Sequence, residues 1–294
     1  MDKTGALKSV GSARVYYYDT ICNVKDEDLP KSYMIHYRPD VLDQSSVNSC
    51  VAHGIAECLQ ANHLKNTGDR MDFSVLGIYG LWRGDFKGEG MFPESTLKNG
   101  RTEGTSVYAL APGNLEVPKA IEKAKEYKEK NPQAFLFKVG SYFKLARNED
   151  LEKNIKKALI QFDLPIMIIT EKGGVRHCEV IIGYNEEKFI VQNSYGVNWG
   201  NEGLHEYSVK MIKEAYVVLM DNVKLPFNDT EGHWSEKHIR NLYFAGIING
   251  VTEDTFCPEG YIKRGEVSKI IDMVMSRYQE KIEALEEEIK ALKK

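Results

Sequence analysis

The chain has 294 residues, 42% of them hydrophobic, which is enough for one large domain or for a medium domain with a small one. The formal net charge is only −4, so the overall charge favours neither nucleic acid nor an anionic membrane surface as a partner. Five cysteines without a Cys-x-x-Cys spacing favour free thiols over a disulfide framework or a metal site, and no cofactor is predicted.

The polar N-terminal region, residues 1–28, is interpreted as an extension. It lacks the apolar core of a secretory signal, and no later segment has the length of a membrane span, so the chain as encoded is expected to be cytoplasmic or processed. We expect this extension to form an edge strand or a packing segment. The alternative is that the tail around Tyr16, Tyr17 and Tyr18 lies in a groove of the fold.

A helix is predicted to begin at Asn48 and Ser49, because small polar residues suit a helix N-cap. Apolar residues then recur at roughly helical spacing, which places Cys50 at the N-terminus of this helix. After Gly84 the many glycines and prolines predict a long loop.

Further along the chain the pattern changes from helices to strands. Two charged segments predict helices near residues 117–130 and 148–161. Four β-branched segments predict strands, at residues 165–170, 179–183, 188–192 and 216–220. A helical half followed by an antiparallel half predicts a two-lobed α+β domain.

Four polar residues together have the chemistry of acyl transfer through a thioester. Cys50 would attack as a thiolate, which the helix N-terminus and an imidazolium both stabilise. His177 would supply the imidazolium and protonate the leaving amine, while Asn193 would orient the ring. The backbone N–H of Cys50 and the side-chain amide of Gln44 would stabilise the oxyanion.

Residues 29–222, interpreted as one domain, contain a segment that resembles the papain-like cysteine peptidases from about Leu29 to Met220. His177 and Asn193 follow the nucleophile by about 130–150 residues, as is usual in that family. The block from Asn193 to Gly203 is similar to the family's Asn-Ser-Trp-Gly motif. The resemblance implies a two-lobed fold with a helical lobe and an antiparallel β lobe, acting on a peptide or protein substrate.

The resemblance also implies supporting residues. In that family an aromatic side chain shields the Asn–His hydrogen bond from water, a role that would fall to Trp199 and also to Tyr195. The segment from Glu103 to Ser106 is similar to the glycine-bearing loop along which the substrate backbone runs. Gly104 is therefore predicted to bind substrate.

Several residues depart from the family pattern. Asn48 and Val51 replace the usual Gly and Trp beside the nucleophile, and Val47 replaces a half-cystine, so the usual disulfide is absent. Arg176 precedes the histidine, and a cation there should disfavour the imidazolium, which predicts a less activated thiol. The family's folded inhibitory prosegment is missing. Cys178 is interpreted, like Cys58, as a packing residue.

The region after Leu225 is similar to one S-layer homology (SLH) repeat, assigned to residues 223–276. Such repeats normally occur three in tandem and anchor proteins to bacterial cell-wall polysaccharide. The resemblance implies that Arg264 recognises a carboxylate of the polysaccharide, for which a guanidinium is well suited. Trp234 would either stack on a sugar or fill the core. The matching residues are Phe227–Asp229, Gly232–Trp234, Gly246–Gly250, Thr255–Pro258 and Ile262–Glu266.

A heptad pattern occupies the C-terminal tail, with residues 277–294 assigned to a coiled-coil helix. Lys281 and Glu288 would meet Glu286 and Lys293 of a parallel partner, which favours a homo-oligomer, a trimer or a dimer. A trimer would bring three single repeats together. The alternative is an amphipathic helix docked on its own domain. The apolar positions are Ile271, Met275, Tyr278, Ile282, Leu285, Ile289 and Leu292.

These observations favour a bacterial or phage thiol endopeptidase tethered to the cell wall. The wall-binding repeat also fits a peptidoglycan amidase that uses the same cysteine and histidine. The departures around the nucleophile fit a weakly active wall-binding adaptor on a protease scaffold. The SLH repeat suggests the cell surface or a virion, in contrast to the missing signal peptide.

Overall fold

The computed structural model describes residues 5–8, 17–18, 21–107, 117–146, 148–186 and 188–292. The helices of this part are α1 Cys50–Thr67, α2 Val75–Leu81, α3 Pro93–Glu103, α4 Val117–Lys130, α5 Leu151–Phe162, α6 Glu236–Phe244 and α7 Arg264–Leu292. The strands are β1 Ser32–Met34, β2 Val139–Lys144, β3 Ile166–Lys172, β4 Val175–Asn185, β5 Lys188–Gln192, β6 Leu204–Tyr207 and β7 Ile212–Met220.

Helix α1 is the central helix of the helical lobe and begins where the sequence predicts. Ser49 is its N-cap, and Gly68 ends it in the left-handed conformation, with φ 76°. Fourteen residues from Cys50 to His63 are buried, which is typical of a helix covered on all sides. The first turn of α1, which carries the Cys50 side chain, therefore lies in the interior of the domain.

The second lobe is an antiparallel sheet in the strand order β2-β7-β3-β4-β5-β6, with β1 also paired to β4. In the β3–β4 ladder Thr170 lies opposite His177, and Ile168 lies opposite Glu179. Asn193 follows directly after β5. The sheet register thus places the histidine and the asparagine side by side, and the predicted helical and antiparallel halves are both present.

Two parts of the sequence-based assignment are wrong. The predicted loop after Gly84 contains α3, which begins with Pro93 at its first turn and ends at Gly104. Helix α2 and the strands β1, β2 and β6 are also absent from the predicted elements. These strands are short and only partly buried, so they lack the apolar runs by which β3, β4 and β7 are recognised.

The N-terminal extension packs in two places. Tyr17 forms a bridge with Lys144 of β2, and Tyr18 is buried, with its hydroxyl donating to Gln161 Oε1 at 2.9 Å. These two residues agree with the expected edge or packing segment. Gly5–Lys8 instead lie against Met91, in the groove described below; Tyr16 lies outside the described residues.

The C-terminal region is anchored on the two-lobed domain through α6. Phe244 is fully buried and meets Phe137 edge to face, with ring centroids 4.8 Å apart. Helix α7 then continues from Arg264 to Leu292 without a break, so the predicted domain boundary between residues 276 and 277 falls inside one helix. Within the described part of the chain no helix is long and apolar enough to cross a membrane.

Candidate active site

The Cys50 thiol lies at the first turn of α1, in the interior between the two lobes. Its side chain is fully buried, with 0% exposure. The unpaired backbone N–H groups and the helix dipole at this end favour a negative charge on the sulfur. The residue predicted to be the nucleophile is thus placed where a thiolate is stabilised.

His177 lies on β4 between the thiol and Asn193. Its Nε2–H donates to Asn193 Oδ1 at 2.8 Å. The Nδ1 atom is buried and has no hydrogen bond of ordinary geometry from the described residues, but the Cys50 thiol is its close electrostatic neighbour. Burial opposes the charged ring, yet Cys50, Glu179 and Asn193 together raise the pKa of His177 to about 9.

Arg176 does not act on this imidazole as the sequence suggested. Successive side chains of a strand point to opposite faces, so Arg176 and His177 diverge. The guanidinium pairs with Glu214 of β7 and lies 3.6 Å from Glu171. Its charge is therefore balanced on the other face, and the raised pKa of His177 contradicts the expected weakening of the imidazolium.

Gln44 is held beside Asn193 by Ser194, the residue that follows Asn193. The Ser194 hydroxyl donates to Gln44 Oε1 at 2.7 Å, and the backbone N–H of Gln44 donates to the Ser194 carbonyl at 2.9 Å. The amide Nε2 donates one proton to the Val47 carbonyl at 2.9 Å, which leaves its second proton for another acceptor. The side chain is thus fixed and 1% exposed.

The two aromatic residues expected to shield the His177–Asn193 bond both lie beside His177. Tyr195 stacks on His177, with ring centroids 4.9 Å apart and planes 17° from parallel. Trp199 contacts Tyr195 edge to face at 5.5 Å and so lies one ring further away. Tyr195 is therefore the direct shield of the His177–Asn193 bond, with Trp199 behind it.

The groove over the thiol is occupied by Gly5–Leu7. The Gly5 backbone N–H donates to Cys50 Sγ at 3.3 Å. The Leu7 N–H donates to the Met91 carbonyl at 2.8 Å, and the Met91 N–H donates to the Gly5 carbonyl at 2.6 Å. Ala6 and Met91 thus form a short parallel bridge over the Cys50 thiol.

These contacts place Gly90 and Met91 directly against Gly5–Leu7. A Cβ on Gly90 would lie 2.5 Å from the Gly5 oxygen, so the close approach requires glycine. Gly104 lies elsewhere: its carbonyl accepts from Trp82 Nε1, and a Cβ there would lie 2.1 Å from the Phe135 oxygen. The substrate-binding role of Gly104 stays a prediction, and its contacts with Trp82 and Phe135 do not include Gly5–Leu7.

The remaining four cysteines make no disulfide with Cys50. All five thiols are free, and Cys58 and Cys178 are buried as expected for packing residues. The Cys178 sulfur lies against Gly54 on the other face of β4 from His177, and burial raises its pKa well above the usual value. No described group of three or more His, Cys, Asp or Glu side chains is arranged to hold a metal ion.

The two residues predicted to bind polysaccharide are both on the surface. Trp234 is 76% exposed, which excludes the alternative that it fills the core, and its Nε1–H donates to Glu259 at 3.3 Å. Arg264 begins α7 and is exposed, with no ion pair to its guanidinium among the described residues. Both side chains are accessible to a ligand.

Comparison with known proteins separates the chain into two parts. Residues 226–268 match the family model described as the S-layer homology domain. Two curated proteins of Acetivibrio thermocellus are 39% identical to this chain, a cellulosome-anchoring protein over 56 residues and cell surface glycoprotein 1 over 51 residues. These matches cover 19% and 17% of this chain but only 12% and 2% of those proteins.

Solved structures show the fold of the larger part. Xylellain, a cysteine protease from Xylella fastidiosa, aligns with a TM-score of 0.60 at 18% identity, over 76% of this chain and 97% of that one. Digestive procathepsin L 3 of Tenebrio molitor aligns with a TM-score of 0.54 at 14% identity, over 72% and 75% of the two chains. The chain therefore joins a papain-like fold to an S-layer homology domain.

Proposed function

We propose that the two-lobed domain is a thiol peptidase in which Cys50 and His177 carry out the chemistry. The observation on which this rests is the alignment of a helix-terminal thiol, an imidazole and the Asn193 amide, with the pKa of His177 raised to about 9. At neutral pH the imidazole is then charged, as a thiolate–imidazolium pair requires.

The reaction follows from this arrangement. The Cys50 thiolate attacks the peptide carbonyl and forms a C–S bond, while the oxyanion is stabilised by the Cys50 N–H and the Gln44 amide. The C–N bond breaks as His177 gives its proton to the leaving amine. His177 then takes a proton from water, which attacks the thioester and releases the acid and the thiolate.

Labelling by an epoxide inhibitor of papain-like enzymes tests this proposal. We expect peptide mapping to locate the adduct on Cys50, beside His177, and not on Cys178, whose pKa is raised well above its usual value by burial. Hydrolysis of purified muropeptides but not of casein would identify a peptidoglycan amidase instead. A Cys50 that resists alkylation at neutral pH, even with the groove opened, would identify a wall-binding adaptor.

We further propose that the SLH domain holds the enzyme on secondary cell-wall polysaccharide, at the cell surface or on a virion. The exposed Trp234 offers a flat apolar face, and Arg264, which has no ion pair among the described residues, offers a forked donor for a carboxylate. Both residues lie within the matched residues 226–268, which supports a shared polysaccharide site.

Replacing Arg264 with alanine is expected to weaken sedimentation with purified cell wall by about tenfold, the effect of losing one charge-assisted hydrogen bond of about 1.5 kcal/mol. Arg240, whose guanidinium pairs with Glu236, provides the matched control, because Arg240→Ala removes the same charge where that charge already has a carboxylate partner. Equal losses in the two variants would indicate a nonspecific charge effect.

Self-association through α7 is proposed from its exposed apolar stripe. Ile271, Met275, Tyr278 and Ile282 are between 48% and 66% exposed at alternating spacings of four and three residues. The side chains of Leu285, Ile289 and Leu292 and the predicted charge pairs lie outside the described contacts. A second copy of the same helix would cover this stripe and bring single SLH domains together.

The Ile282→Asp variant is expected to shift the chain from oligomer to monomer, because a buried carboxylate in a helix seam is strongly unfavourable. Light scattering at micromolar concentration measures this directly. Glu283→Gln, an exposed change at the next position, should leave the mass unchanged. A monomeric parent chain would contradict the proposal.

A further inference from the structure

A buried carboxylate lies next to the catalytic histidine on the same strand. Glu179 is two residues beyond His177 on β4, and side chains at that spacing share one face of a sheet. The Glu179 side chain has no solvent exposure. Burying a carboxylate raises the free energy of the folded state unless the carboxylate is paired and hydrogen-bonded, so Glu179 requires polar partners.

Two partners fix this carboxylate from both sides of the strand. The Thr170 hydroxyl on β3 donates to Oε2 at 3.1 Å, and His205 Nε2–H on β6 donates to Oε1 at 2.7 Å. Both partner side chains are themselves largely buried. The carboxylate therefore has one orientation, set by two strands other than its own.

The carboxylate and the imidazole are also joined by a continuous aromatic cover. Tyr195 stacks on His177 and meets Trp199, and Trp199 meets His205 edge to face with centroids 4.9 Å apart. His205 in turn holds Glu179. This cover keeps water from the space behind His177, where a charge acts more strongly than it does in water.

We propose that Glu179 is a positioning residue that stabilises the charged form of His177 and thereby maintains its ion pair with Cys50. The inference deepens the proposed peptidase function and rests on it. A negative charge beside an imidazole favours the imidazolium. Consistent with this, Glu179 is among the groups that raise the pKa of His177, after the larger effects of burial, which lowers it, and of Cys50.

Other titratable groups facing His177 contribute less negative charge at neutral pH. His53 on α1 is neutral, because burial lowers its pKa to about 4. Burial raises the pKa of Glu57 on α1 to about 8, so it is mostly protonated at pH 7. Arg176 lies on the opposite face of β4 and is paired. The groups that face His177 are Cys50, His53, Glu57 and Glu179.

The isosteric Glu179→Gln variant tests the proposal. We expect the His177 titration, followed by NMR of the imidazole, to move down from about 9 by about one pH unit. Because the ion pair is lost as pH rises through this value, the alkaline limb of kcat/KM should move down by the same amount. Glu206→Gln removes an exposed carboxylate of β6 and should leave both curves unchanged.

The NMR titration needs no turnover, so it separates failure of this inference from failure of the peptidase assignment. An unchanged His177 titration in a folded Glu179→Gln variant overturns the inference. If that variant does not fold, the His177 titration is measured in the Thr170→Val variant instead. It keeps the charge but removes one hydrogen bond, so a smaller downward shift supports the inference and no shift overturns it.

Discussion

Replacing Cys50 with alanine is expected to reduce peptide hydrolysis by roughly 10⁴-fold or more, because loss of a nucleophile removes the covalent route altogether. The helix N-terminus, Gln44 and His177 all remain in this variant, but no atom is left that can form the thioester. Casein hydrolysis and epoxide labelling should both disappear.

Cys178→Ala is the matched control for that experiment. It removes a thiol one residue from His177, but that sulfur lies on the other face of β4 and packs against Gly54. We expect it to lower the melting temperature while retaining activity and labelling. Normal turnover by the Cys50 variant would contradict the peptidase assignment.

Opening the groove is expected to raise activity by at least about tenfold, which corresponds to destabilising the docked N-terminal segment by about 1.4 kcal/mol. The Gly5 N–H donates to the Cys50 thiol, and the Gly5 carbonyl accepts from the Met91 N–H. The segment therefore covers the Cys50 thiol and must move before a substrate carbonyl can reach it.

Gly5→Val should release this segment in the 294-residue chain, because a Cβ at Gly5 would lie 1.9 Å from the Asn48 oxygen. Lys8→Ala, at an exposed position three residues on, is the control and should leave activity low. Initial rates on a fluorogenic peptide measure both. Equal rates for the parent chain and Gly5→Val would show that the segment does not restrain the enzyme.

Asn48, which stands near Cys50 where the family usually has glycine, makes a contact of its own. Its side-chain amide donates to Glu89 Oε2 at 2.5 Å, which links the nucleophile loop to the Gly90–Met91 edge across the groove. The Asn48 carbonyl also borders Gly5. The departures at the nucleophile thus shape the groove, while the pKa of His177 remains high.

Much of the larger domain follows from local sequence. Ser49 and the apolar spacing after it predict α1, and β-branched runs predict β3, β4, β5 and β7. Helix α3 was missed, because its glycine-flanked, polar residues carry too weak an apolar pattern to be distinguished from a loop.

The sequence by itself determined the parts of the candidate site: a thiol at a helix N-terminus, an imidazole, an amide and an oxyanion donor in a characteristic order. The tertiary structure alone decided their surroundings. Arg176 is balanced by Glu214, Glu179 is held by His205, and Gly5 covers Cys50. Such contacts join distant segments, so they depend on strand register and lobe packing, which local patterns do not specify.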